Sequence, residues 1–252
     1  MKKYDVVRGL GWTLLAAMLL YLLTLVYPIY DSVFDSGGNG LLLYLYVNSV
    51  SFGGWLLPLF ACLPFASSYV LDMKNGFQRT AVLKYGSRSY IKSKILVASL
   101  SGGLALSGGL ILFWLLLAAT GQSMTPDETL LEYVFLWDIL KLDGSGLLLY
   151  IGLLYLSFLS GAFWTLAALA FSTFCMDAFL TVCFPVFCQR FIVQLLSILH
   201  LPDWLNLGQL GKGTSPYSYS LYLPIATVVF GGLSLLAIQL FKNGFERRLP
   251  NA

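Results

Sequence analysis

Charge is what this chain has least of. Its 252 residues hold 15 Lys and Arg and 12 Asp and Glu, so 11% are charged while 58% are hydrophobic. A soluble domain carries roughly 25% charged residues. Half that share cannot cover a globule of this size, so lipid is expected to be the solvent for much of the surface. A net charge of +3 gives no reason to expect a nucleic-acid partner. Histidine occurs once, at His200, and no CxxC links Cys62, Cys175, Cys183 and Cys188. A metal site of ordinary ligand spacing is therefore not expected. The cysteines fall in apolar segments or at an inner end, which argues against a disulfide framework. No small-residue cleavage site closes the first apolar run, so no cleavable signal peptide is expected.

Catalytic motifs are also missing. Gly208-Gln209-Leu210-Gly211-Lys212-Gly213-Thr214-Ser215 looks like a phosphate loop at first sight. However, Asn206 stands where its first glycine belongs, and Gly213 follows the lysine in place of Ser or Thr. A membrane serine protease needs a nucleophile, a base and oxyanion donors. Ser107-Gly108 and Ser160-Gly161 lack the glycine two residues ahead, and His200 is expected at the rim of a span. No enzyme site is therefore expected. Apart from Asp177 at a turn, no carboxylate is embedded in an apolar segment, which counts against a proton- or sodium-driven carrier.

What the chain does have is six apolar runs, about 9–29, 45–71, 95–120, 147–173, 178–200 and 222–241. A helix needs about 20 such residues to cross a bilayer. They predict an all-α integral membrane protein, one permease-like domain over 1–252 with six transmembrane helices. Pro28 is expected to close the first run, and Pro58 and Pro64 to kink the second. Lys2, Lys3, Arg8, Lys242, Arg247 and Arg248 fall on one side, with Lys74, Arg79, Lys84, Arg88, Lys92 and Lys94 of the 72–94 stretch. Only Lys141 and Lys212 fall on the other. Cationic loops stay in the cytosol, so both termini are expected there, in a cell membrane of bacterial type.

The 72–94 stretch organises the rest. Met73, Phe77 and Ala81 share one face at i, i+4 spacing, predicting a cytoplasmic helix over 72–85 that exposes Phe77. A purely interfacial anchor is the plainer alternative. On the opposite side, Thr125-Pro126-Asp127-Glu128 is a capping-box pattern with proline at the first helical position, predicting an outer amphipathic helix that ends before Gly144. The 201–221 connection, rich in glycine and proline, suggests broken half-helices. Stripes of small residues (Ser99, Gly103, Ser107; Ser101, Ala105, Gly109; Ser157, Gly161, Thr165) predict close helix packing. Arg190 is the one cation deep in a run, beside Gln189 and a turn from Gln194. An arginine there costs at least ~2.5 kcal/mol if lipid-facing. Gln189, Arg190 and Gln194 are therefore candidates for a translocation path. The alternative is a structural tie from Arg190 to backbone carbonyls or an outer carboxylate.

Six runs with both ends inside, a basic helical loop after the second and a long outer connection before the sixth resemble the ABC type-2 exporter permease family. So does the order Asp72, Gly76, Ser87-Arg88, Lys94, although a full helix before the first span is lacking. Within the family the chain looks most like small permeases of peptide exporters, of the bacteriocin and phenol-soluble modulin type. The resemblance implies a transmembrane subunit paired with an identical or homologous permease. Two soluble ATP-binding subunits would hold the ATP and Mg, with no cofactor in this chain itself. It implies that the 72–85 helix is the coupling helix, with Met73, Lys74, Phe77, Arg79 and Lys84 contacting the ATPase. Amphipathic or hydrophobic cargo, peptide first and lipid or drug next, is the expected load. A stand-alone carrier or channel is the alternative.

Overall fold

In a computed structural model, residues 5, 7, 9–33, 38–50, 53–125, 147–199, 206–212 and 222–248 are described, and they are helical apart from turns and one isolated bridge. The expected outer amphipathic helix, His200 and the glycine-rich end of the phosphate-loop look-alike lie outside the described residues. The helices are α1 (Trp12–Val26), α2 (Tyr30–Val33), α3 (Gly40–Val50), α4 (Gly53–Cys62), α5 (Ser68–Lys74), α6 (Phe77–Tyr85), α7 (Ser87–Ala119), α8 (Leu147–Phe171), α9 (Ala178–Ile198), α10 (Leu207–Lys212) and α11 (Tyr222–Arg248).

Five helical stretches are long and apolar enough to cross a membrane: Trp12–Val33, Ser87–Ala119, Leu147–Phe171, Ala178–Ile198 and Tyr222–Arg248. The chain is thus a multi-pass, all-helical membrane protein. The first stretch does not stop at Pro28. That proline sits in the first turn of a 3-10 helix, Tyr27–Ile29, where its missing N–H costs nothing, and the helix resumes as α2. The second apolar run is not one helix. It is divided among α3, α4 and α5, with a turn over 63–67 around Pro64. Pro58 stays inside α4. The expected 72–94 loop also shrinks, because α7 begins at Ser87 and carries Arg88, Lys92 and Lys94 on helix.

Two ends of the bundle are pinned by polar contacts. At one, Gly40 N donates to Ser123 O at 2.8 Å, Ser123 N to Gly38 O at 2.9 Å, and Gln122 Nε2 to Val33 O at 3.2 Å. At the other lie the α5–α6 pair, the α8–α9 turn and the end of α11, where Arg248 Nη2 donates to Phe174 O at 3.2 Å. The broken 40–74 segment runs from the first end to the second. Asp177 starts α9 by accepting from Leu180 N at 2.8 Å, the N-cap that lets a short turn reverse the chain between α8 and α9.

The core is densest where α7 meets α8. A Cβ on Gly102 would strike Thr165 and the Gly161 carbonyl, and one on Gly161 would strike the Gly102 carbonyl. Backbones approach this closely only without side chains. The seam runs through Gly102 and also through the predicted Gly103, whose Cα lies 3.2 Å from a Cβ on Gly161 and whose own Cβ would strike the Phe158 ring of α8. Thr165 Oγ1, placed between Ala61 O (2.9 Å) and Gly161 O (2.8 Å), ties α4 to the same seam. A second apolar cluster fills the basic end, with Tyr69 edge-on to Phe241 at 5.5 Å and Tyr90 stacked on Phe245 at 5.5 Å.

Candidate functional sites at the two ends of the bundle

At the basic end, three ionised groups meet out of solvent. Lys94 is fully buried on α7. Its Nζ lies 2.7 Å from Asp72 Oδ2 and 3.0 Å from Asp5 Oδ1. Each carboxylate keeps a neutral donor as well: Tyr90 OH gives 2.9 Å to Asp72, and Ser93 Oγ gives 2.7 Å to Asp5. The ammonium also sits over the Phe65 ring (4.9 Å) and the Tyr90 ring (5.5 Å). A buried charge survives only when paired and hydrogen-bonded, and these contacts supply both. Their effect is mechanical. The N-terminal segment, the end of α5 and the start of α7 are held at one point. Asp72 and Lys94, separate elements of the sequence pattern, are direct partners.

The helix expected over 72–85 is two pieces. Asn75 and Gly76 break it, with Gly76 at φ +68°, a left-handed conformation that an L side chain adopts only with strain. Phe77 is not displayed outward as expected. It is partly buried with Met73 against the inner cluster, and Ala81 on the same face is 2% exposed. The outward face of α6 carries Arg79, Thr80, Leu83 and Lys84, with Leu83 88% exposed. Lys74 and Arg79 point into a cleft of about 630 Å³ shared with Met176 and Arg248.

At the other end α10 folds back into the protein. Leu207, Leu210 and Lys212 are buried. The last carbonyls of a helix need outside partners. Here Tyr222 OH donates to Leu210 O at 2.5 Å and Tyr44 OH to Lys212 O at 2.8 Å. Lys212 Nζ donates to Asn48 O at 3.1 Å and has no carboxylate partner among the described residues. Burial, and secondarily the charge of Arg190, push its pKa down to about 8. Residues 207–212 are thus a helical turn and not an open glycine loop.

Of the predicted path residues, Gln189 and Arg190 join this cluster. Gln189 is 7% exposed, and its Oε1 has no partner among the described residues. The Arg190 guanidinium lies over the Trp55 ring, with Nη2 buried and without a hydrogen-bond partner among the described residues. Gln194 does not join, since it faces outward. Five residues of helix turn it about 140° away from Gln189. Sequence reading missed Lys212 as a member. Its only signal was a lone cation in a connection already suspected of folding back. Compared with family models, curated proteins and solved structures, the chain matches none.

Proposed function

We propose that this chain is the transmembrane subunit of an ATP-driven exporter, working as a pair with an identical or homologous permease. Two separate cytoplasmic ATPases would bind and hydrolyse ATP with Mg. The observation that carries the reading is the buried Asp5–Asp72–Lys94 lock beneath the outward face of α6. A push on α6 reaches α7 through ion pairs and packed rings with little slack, as a coupling element requires. The broken 40–74 segment acts as the sixth crossing, and both termini face the cytosol of a cell membrane, because the cations gather at one end.

The contact with the ATPase needs revision in one respect. Phe77 and Met73 brace α6 from within, while Leu83, flanked by Arg79 and Lys84, presents the apolar centre and charged rim of a docking patch. The cargo is amphipathic or hydrophobic, peptide before lipid or drug. It passes the polar cluster of Gln189, Arg190 and Lys212. One observation favours the alternative of a proton-coupled carrier: Lys212, buried and with its pKa near 8, can exchange a proton at ordinary pH.

The test is affinity purification of the tagged chain from its native membrane, identification of co-purifying ATPases, and an ATPase assay of the complex. Leu83→Asp should reduce co-purification or coupled hydrolysis at least about tenfold, the scale of a lost interface anchor. Proteoliposomes holding this chain alone that move cargo on a proton gradient would defeat the exporter reading and favour the carrier.

A further inference from the structure

The cleft at the basic end has chemistry of its own. It is lined by Met73, Lys74, Gln78, Arg79, Met176 and Arg248, with Gly76 at its edge. Three cations share about 630 Å³, and no carboxylate of a described residue lines the space. Neither Lys74 nor Arg79 makes an ion pair with a described residue; both ion pairs among the described residues belong to Lys94. On one continuous helix, positions 74 and 79 would point about 140° apart. The Asn75–Gly76 break turns both into the same space. Gln78 in the wall is 2% exposed, and neither its amide nitrogen nor its amide oxygen has a hydrogen-bond partner among the described residues. Like charges held this close repel unless an anion joins them.

The cleft's lining comes from the end of α5, the start of α6, the α8–α9 turn and the end of α11, so in a membrane-embedded chain it would stand near the headgroups. The Met73 and Met176 side chains give it an apolar wall beside the cations. A ligand with an anionic head and an apolar continuation suits that combination better than an acidic peptide, which offers no apolar continuation to the methionines. Basic pockets between membrane helices are known to take anionic headgroups, and the volume is in the usual ligand range.

We propose that this cleft is a binding site for an anionic phospholipid. Its phosphate lies among Lys74, Arg79 and Arg248, with the Gln78 side chain in the wall. Arginine suits the task because its fork meets phosphate oxygens in pairs. The site is separate from the Leu83 patch, although Arg79 borders both. Its leaflet rests on the orientation proposed above; the site itself rests only on the chain being embedded in a membrane.

The full chain, embedded in nanodiscs of equal phosphatidylglycerol and phosphatidylcholine, is released into the mass spectrometer and its retained lipid is counted. Phosphatidylglycerol should be retained in preference. Arg79→Gln with Arg248→Gln should lower that retention at least about tenfold, as expected for lost charge-assisted contacts. Lys74→Gln alone provides the same readout if the double variant fails to fold. Lys92→Gln, an exposed cation on α7 away from the cleft, should change retention by less than about twofold. Equal retention of both lipids, or an equal loss in Lys92→Gln, would reduce the effect to diffuse surface charge and overturn the site. Displacement by millimolar inorganic phosphate would make it a free-anion site, and displacement by a polyglutamate peptide would make it a protein contact. Either result overturns the lipid assignment. Loss of ATPase co-purification would leave it untouched.

Discussion

Replacing Lys94 with methionine keeps most of the side-chain volume against Phe65 and removes only the charge. Asp5 and Asp72 then stay buried without the ammonium they share, still accepting from Ser93 Oγ and Tyr90 OH. Breaking a buried pair by removing one partner costs about 3–5 kcal/mol, because the remaining charge has nowhere to go. Lys94 serves two carboxylates, at 2.7 and 3.0 Å, so the upper part of that range applies. For a chain of this size that is a fall in melting temperature of the order of 10 °C. The assay is thermal unfolding of purified protein in mild detergent, followed by intrinsic fluorescence. Tyr90→Phe removes a single hydrogen bond to a carboxylate and should cost about 1.5–3 kcal/mol, less than Lys94→Met. The decisive comparison is a triple variant, Asp5→Asn, Asp72→Asn and Lys94→Met, in which none of these three ions remains. It should recover most of the loss, since replacing a whole buried ion cluster with neutral groups is often close to neutral. The reasoning is refuted if Lys94→Met melts within about 2 °C of the parent, or if the neutral triple is as unstable as the single.

Three further outcomes are expected. The folded-state pKa of Lys212 is lowered to about 8 from 10.5, so folding carries the cost of its charge in full below pH 8. Stability at the α10 end should therefore rise as pH climbs from 8 to 10.5, and Lys212→Met should flatten that rise in a pH series of melts. Gly161→Leu should overpack the α7–α8 seam and cost at least about 1–3 kcal/mol, whereas Gly232→Leu, with nothing within 4 Å of an added Cβ, should melt like the parent. Arg190→Ala should impair export without loss of protein from the membrane, read as cargo flux in proteoliposomes holding the chain and its ATPase; unchanged flux would mean that Arg190 only braces Trp55.

Much of the fold was legible because apolar length is a local property. The 147–173 and 178–200 runs correspond to Leu147–Phe171 and Ala178–Ile198 within two residues. Hydropathy marks only where a helix is greasy, however. It hid the polar first turns of α7, so Lys92 and Lys94 looked like loop. Periodicity put Met73, Phe77 and Ala81 on one face correctly, but it carries no sign for inside or outside, and that face points in. Composition in the second run suggested kinks, and the chain went further and broke at the turn around Pro64. The site residues that were missed are joined over distance. Lys212 meets Asn48 across 164 residues, and Asp5 meets Lys94 across 89, which no local pattern can report.

That last separation sets a timetable for biogenesis. The ribosome adds about 5–20 residues each second. Asp5 is therefore made roughly 4–18 s before Lys94, its partner 89 positions later. Through that interval the first hydrophobic helix is already available to the insertion machinery, while the carboxylate at its root has no ammonium to receive it. Synthesis of the start of α7, the second long helix, is thus the moment at which the first can seat, and a nascent chain stalled earlier presents an unfinished anchor to quality control.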